Sequence, residues 1–444
     1  MRKIIISLLI GLALMIVPSM ATTGHINGCT NTGAWNNCCT KTFNITAKPG
    51  YRIVDVIVNG VSKGVITSYT FGNLTSAQIL KVVTEAIPQT TPANAPVIIT
   101  GLTPVNWNGT AWESTTVANW DYNYNSVATA THNTVAGNGD GKWANAQTAD
   151  GSLYVWIPRY TYKITSGEHQ SGNSWNSLDN PGTNKIEIKF SNGIIDDTSS
   201  GYIKHSAFTF GEDELKGIWV AKYEASKDST TSVAKSIPSA TSWIVNGSVG
   251  DAFNYAYNTY RNADSHLIKN TEWGAVAYLT NAIGRIPYVN NYSKRAGNTF
   301  IAQTGYSGNS QDAPSITSGA YAWNTETGVK ASTTHNVYGI YDMSGGASEY
   351  VAAYSVIEDS NAYIRELRYA QDKYVDRYGA STKKGDALSE TTSWDGDIDD
   401  SSSTAIQAFC RGGRYSGEAE SGIFAVTRDG GNVSRGFRVV LGIK

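Results

Sequence analysis

Charge, cysteine and long apolar runs are all in short supply in this chain. Only 16% of its 444 residues are charged, and the formal net charge is -2. Binding a nucleic-acid backbone needs a basic field, so this balance argues against a nucleic-acid partner. Of the four cysteines, Cys29, Cys38 and Cys39 cluster near the N-terminus and Cys410 stands alone. In an oxidising compartment the cluster supports one local disulfide, Cys29 to Cys38 or to Cys39, with leftover thiols free to pair between molecules. A zinc site is not expected there, because His25 is the nearest imidazole and the spacing fits no common finger. The other histidines, His132, His169, His205, His266 and His335, are scattered without metal-ligand spacing and read as ordinary polar residues.

The one long apolar run, Ile4 to Val17, follows Arg2 and Lys3 and precedes Ser19-Met20-Ala21. A basic start, a short apolar stretch and a small-x-small site describe a secretory signal peptide, here residues 1–21. The run falls short of the ~20 residues of a membrane span, although an uncleaved anchor is the alternative. No later stretch is apolar enough to cross a bilayer. The chain is therefore expected to be secreted or displayed on a cell surface, with any membrane attachment through its N-terminus.

Glycine (44), tyrosine (26) and tryptophan (12) are what the chain has in quantity. Many aromatics on a weakly charged chain suit a protein that binds by surface contact. Residues 22–85 read as a small all-β module, because IVDVIV and ITSYTF are β-branched runs joined through Asn59-Gly60 and Lys63-Gly64. Ala86 to Pro96, AIPQTTPANAP, carries three prolines and no charge. A proline-rich stretch makes a semi-rigid linker, placed at 86–100. The remainder, 101–444, is expected to be one large α+β domain with few helices, short strands and much irregular structure. Strands are expected at Leu153–Ile164, Gly217–Ser226 and Phe437–Ile443, and helices at Trp273–Gly284 and Ala347–Val356, where apolar residues recur at three and four.

Several stretches resemble known families. The module carries KPGY, spaced valines, VNG and YTF, and so resembles a bacterial surface β-repeat, which implies a stalk. In the large domain, NVYGIYDMSGG followed by Glu349-Tyr350 resembles the signature of formylglycine-generating-enzyme-like domains, whose fold is related to C-type lectins. GIWVAKYEAS, EWGAVAYL and RGGRYSG with GFRVV (Arg411 to Val440) resemble three further motifs of that family, in its order. KWANAQTADGSLYVWIPRYTYKI (Lys142 to Ile164) and HSAFTFGEDELKGIWVAKYEAS (His205 to Ser226) bring the chain closer to the variable proteins of diversity-generating retroelements and related phage-tail proteins. A prokaryotic or viral gene is implied.

Turn chemistry explains the signature block, so Gly339, Tyr341, Asp342, Met343, Ser344 and Gly345 are read as scaffold. Arg411, Gly412, Gly413, Gly436, Phe437 and Arg438 are framework by resemblance, and Glu349 with Arg438 is expected to form a buried pair. The enzymatic relatives use two close cysteines near the C-terminus to bind copper. Only Cys410 stands there, and one thiolate does not make such a site. No catalytic residue, metal or cofactor is therefore assigned, and a formylglycine-generating-type or other sulfatase-modifying-factor-like enzyme is the alternative. A third reading is a structural surface or tail-fibre component.

Between the framework motifs lie Arg414, Tyr415, Ser416, Glu418, Glu420, Thr427, Arg428, Asp429, Asn432 and Ser434, of mixed polarity and no periodicity. They read either as an ordinary solvated loop or as a binding face on a rigid fold, in the manner of antibody loops. The resemblance favours the second, a variable segment 411–438 that meets a protein or glycan on another cell or virus surface. In retroelement variable proteins this segment is diversified at adenines. Randomised Asn codons reach Arg, Tyr, Ser, Asp and Thr but not Glu, so Glu418 and Glu420 would have another origin. Two smaller signals remain. Trp394 to Asp400, WDGDIDD, is acidic but lacks the Glu that closes an EF-hand loop, so a solvated turn is expected rather than a Ca²⁺ site. Glycosylation sequons begin at Asn44, Asn73, Asn108, Asn246, Asn291 and Asn432.

Overall fold

A computed structural model describes residues 21–26, 41–46, 51–72, 79–86, 95–117, 120, 142–166, 185–291, 294–296, 299–308, 320–356, 362–379, 383–388, 390–391, 394–397, 408–416 and 421–443. The chain divides into two compact units, Met1–Thr91 and Pro92–Lys444. Cys29, Cys38 and Cys39, and with them the expected disulfide, lie outside the described residues, as do His132 and His169.

Among the described residues the first unit holds six strands: β1 (Ala21–Ile26), β2 (Lys41–Thr46), β3 (Tyr51–Val58), β4 (Val61–Ser62), β5 (Ser68–Phe71) and β6 (Leu80–Ala86). They form two three-stranded sheets, in the orders β1-β2-β5 and β4-β3-β6. Asn59 and Gly60 both take positive φ, 49° and 84°, and pair Val58 with Val61 across a two-residue hairpin. Ile45, Val56, Val58, Phe71 and Val82 make its core.

Two sheets carry the second unit. The first contains β7 (Thr103–Trp107), β8 (Trp112–Ser114), β9 (Asn145–Gln147), β10 (Leu153–Pro158), β11 (Gly217–Ala221) and β12 (Ser265–Leu267). The other contains β13 (Glu349–Ser355), β14 (Asp376–Tyr378), β15 (Ala408–Gly412), β16 (Gly422–Asp429) and β17 (Gly436–Phe437). The closing strand β18 (Val439–Leu441) returns to the first sheet, whose order is β12-β18-β11-β10-β9-β7-β8. The second runs β14-β13-β15-β16, with β17 on β13. Three α-helices appear among the described residues: α1 (Val249–Thr259), α2 (Asn270–Ala282) and α3 (Arg365–Tyr369). Few helices and many short strands in small sheets make the unit α+β.

Several expectations need correction, among them the strand Phe437–Ile443, which is divided between β17 and β18 in different sheets. The stretch expected as a helix at Ala347–Val356 is strand β13, every residue of which is buried. A strand covered on both faces has no polar side, so its apolar run imitates a buried helix. The expected strand Leu153–Ile164 is two strands, β10 and Tyr160–Ser166, in different sheets. The break falls after Pro158, which has no N–H for a ladder. There the buried Arg159 turns its guanidinium onto Asp196, at 2.5 and 2.7 Å, and onto the Phe208 and Leu215 carbonyls. The expected linker is also too long. Ala95 is buried in the core of the second unit, and the Trp219 indole donates to the Val97 carbonyl at 2.8 Å.

The expected helix at Trp273–Gly284 is α2, begun three residues earlier. The Glu272 carboxylate accepts from the Lys269 amide at 2.9 Å in its first turn, and Gly284 follows its end at φ 71°. All thirteen residues of α2 are buried, so it is a central post rather than a surface helix.

Candidate ligand-binding face

The ground beneath the C-terminal segment is a buried polar network. Glu349 and Arg438 lie as a bidentate pair, Nη2 to Oε1 at 2.6 Å and Nε to Oε2 at 3.2 Å, with no exposed surface on either side chain. Two further buried carboxyl groups adjoin it. Glu224 accepts from the Ser242 hydroxyl at 2.7 Å and from the Ala347 amide at 3.2 Å. Asp342 accepts from the Asn290 side-chain Nδ2 at 2.6 Å and from the Gly305 N–H at 2.9 Å. One guanidinium among three carboxyls leaves burial dominant. Burial pushes Asp342 up to about 7 against the pull of Arg438, and it also raises Glu224 and Glu349. Glycine is required where the chain closes over this network. A Cβ on Gly345, at φ 76°, would lie 2.5 Å from the Val289 side chain, and one on Gly436 would lie 2.9 Å from Ala347.

The rest of the expected scaffold is likewise interior. Tyr341 stacks on Tyr223 at 5.2 Å and donates to the Trp323 carbonyl at 2.8 Å. The Gly339 carbonyl accepts from Lys222 at 2.8 Å, and Met343 and Phe437 are fully buried. The Ser344 carbonyl accepts from the Asn290 amide at 2.6 Å, and the Gly412 carbonyl from Gly345 at 2.7 Å. Arg411 donates to the Ala387 carbonyl at 3.0 Å, and Gly413 follows with φ 70°. Cys410 is buried in β15, opposite Tyr350 and Thr427.

From this base the candidate ligand residues emerge in two places. Arg414, Tyr415 and Ser416 follow β15, with Arg414 and Ser416 exposed and Tyr415 half-buried. Asn432 and Ser434, both exposed, lie on the crossing from β16 to β17. Four ladder steps along β15 separate the two ends, about 13 Å at ~3.3 Å per residue. Thr427 and Arg428, half-buried in β16, come between, and the Arg428 guanidinium sits 4.4 Å over the Phe409 ring. The side chains of Glu418, Glu420 and Asp429 lie outside the described residues.

A bulge in β16 shapes this face. Arg411 pairs with Val426 but Gly412 pairs with Gly422, so residues 423–425 are thrown out of the ladder. Asp397, from the acidic stretch expected to be a solvated turn, lies buried beneath the bulge instead. Its carboxylate accepts from the Phe424 amide at 2.7 Å, and the Trp273 indole donates to the Ile423 carbonyl at 2.8 Å. Backbone groups the ladder cannot satisfy are thus taken by side chains. Among the described residues no group of three or more His, Cys, Asp or Glu is placed to hold a metal ion.

No protein-family model and no curated protein matches this chain.

Some contributors to the face escaped sequence reasoning. Ile244 and Val433 are 37% and 39% exposed, and Tyr363 is 44% exposed. Val245 bridges to Arg435, and the Ser434 hydroxyl donates to the Asn246 side chain at 2.7 Å, which seats the 244–246 stretch beside Asn432–Ser434. A Cβ on Gly431 would lie 3.3 Å from that of Tyr363. Nothing local marks 244–246 or Tyr363, because far-apart segments meet only through the fold. The buried acid Glu224 did leave a trace: Lys222 and Glu224 alternate within an otherwise apolar strand motif, where a charge must be paired or hydrogen-bonded.

Proposed function

We propose that this chain is a secreted or surface-displayed ligand-binding protein of receptor or adhesin type. Its larger unit would be a C-type-lectin-like, formylglycine-generating-enzyme-like head, and the loops around β16 its binding face. One contrast carries the reading. Arg411, Gly412 and Gly436–Arg438 are buried, whereas Arg414, Ser416, Asn432 and Ser434 between them are exposed. A rigid interior under a chemically unconstrained exterior is how antibody-like paratopes are built. Exposed Ile244, Val433 and Tyr363 add the apolar area that a protein partner engages.

The retroelement origin of the variation is part of the proposal and is tested in the genome. A reverse-transcriptase gene nearby, with a second copy of the C-terminal coding segment differing at adenines, is the expected finding. Absence of both would reduce the proposal to a binding protein of fixed sequence. The enzymatic alternative is tested with a sulfatase peptide and added copper, and turnover that disappears in Cys410→Ser would overturn the receptor reading. Buried as it is within β15, Cys410 gives that alternative no accessible thiol.

A further inference from the structure

We propose that a second concavity on the larger unit is a binding site for a short zwitterionic peptide with apolar side chains. The groove has a volume of about 1130 Å³ and shares no residue with the C-terminal face. That volume is of the order of small-ligand sites. It opens between residues 98–102, the turn at 148–151, the stretch from Asp228 to Lys235, and the end of α1. Leu102, Ala263 and Leu441 form an apolar floor, each at most 6% exposed. Such a floor takes aliphatic side chains, and polar rim groups then fix a ligand's orientation.

The rim carries one charge of each sign outside any ion pair, Asp150 and Arg261, although Lys235 lies within electrostatic reach of Asp150. Asp150 is exposed and receives only neutral donors, the Thr148 hydroxyl at 2.5 Å and the Ser152 amide at 3.1 Å. Burial works against its ionised form, but the hydrogen bonds from Thr148, Ser152 and Tyr260 outweigh it and hold the carboxyl below its ordinary range. Arg261 is exposed and lies 4.9 Å over the Tyr257 ring, with Nη2 donating to the Tyr257 hydroxyl at 3.3 Å. Neither forms an ion pair among the described residues. The other two rim charges, Asp228 and Lys235, neutralise each other at 2.5 Å.

A neutral apolar ligand would desolvate both free charges and satisfy neither, and an ion of one sign would meet one like charge. A peptide with a free amino and a free carboxyl terminus answers both at once. The ammonium end belongs at Asp150 and the carboxylate end at Arg261, where the guanidinium can bind it in bidentate fashion.

The experiment is calorimetric titration of the full chain with leucyl-leucine, and with N-acetyl-leucine amide, which has the same apolar character and no charge. Expected is saturable binding of leucyl-leucine, at least about tenfold tighter than the neutral analogue, because each charge-assisted hydrogen bond is worth that much. Asp150→Asn and Arg261→Gln should each weaken it about tenfold, with circular dichroism confirming that both variants are folded at the titration temperature. No binding of leucyl-leucine at millimolar concentration would overturn the proposal. Equal affinity for the two compounds, or affinity indifferent to both substitutions, would do the same. None of these outcomes depends on what the C-terminal face binds.

Discussion

Arg438 is the residue on which the interior of the larger unit turns. It is the only guanidinium or ammonium bonded to the Glu349 carboxylate among the described residues, and it also donates to the Ala221 carbonyl at 2.8 Å. Removing one partner of a buried pair strands the other charge. Arg438→Leu should therefore cost about 3–5 kcal/mol in chemical denaturation, and the double change with Glu349→Leu should recover much of that loss. Asp342 makes a second prediction at this scale. Its carboxyl is raised from 3.8 to about 7 by burial, so the folded state holds the proton more tightly than the unfolded state does. The stabilisation this provides is complete below about pH 4 and is lost as pH rises towards 7. Denaturation midpoints measured from pH 4 to 8 should fall, and Asp342→Asn should be less stable at pH 4, with a shallower slope that closes the gap by pH 8. Asp342 was singled out from the sequence as a turn residue, which its φ of 64° bears out. That it is a buried acid among acids was not legible, because the other carboxyls come from 118 residues before it and a few after.

Among the elements, β16 and the stretch 383–388 are the informative ones. β16 departs from its ladder over 423–425, and Asp397 holds the departure in place. Asp397→Ala should leave the Phe424 N–H buried without its acceptor, a loss of about 1–3 kcal/mol. Hydrogen exchange should show loosening confined to β16 and the adjoining loop. The 383–388 stretch packs against His205 through Gly385, and His205 is fully buried among Tyr160, Tyr162 and Tyr278. The Tyr162 hydroxyl and the Gly385 amide both donate to Glu390 at 2.7 Å, and the Ser206 hydroxyl to the Lys384 carbonyl at 2.6 Å. Burial pushes His205 down to about 3. For a histidine held neutral, stability is present above the ordinary value near 6.5 and is lost as pH falls towards 3. Acid titration should thus expose residues 383–388 to exchange, and His205→Phe should blunt that response. The sequence placed β13 in the wrong class because all seven of its residues are buried, whereas α2, equally buried, was recognised by its length and regular spacing.

On the scale of the whole molecule, two compact units on one chain should unfold separately. A chain cut to Pro92–Lys444 is expected to keep the melting transition of the larger unit in the intact protein, and calorimetry of the two side by side checks it. The boundary was approximately readable, since three prolines and no charge mark it. Its far edge was not, because Ala95 and Val97 are recruited by packing against Trp219, a partner more than a hundred residues away.

By itself the amino-acid order determined the things that depend on neighbours in the chain: the Asn59-Gly60 hairpin, helix α2, the positive-φ turns around Asp342, and the division into framework and polar interlude near the C-terminus. Only the tertiary structure decided which polar residues are interior, why Asp397 supports a bulge rather than standing in water, and which segments join Asn432 and Ser434 at the surface. Backbone preference is a local energy and is written in adjacent residues. Desolvation and charge pairing depend on what the fold brings near, so the same carboxylate is a surface group or a buried proton store according to partners far along the chain.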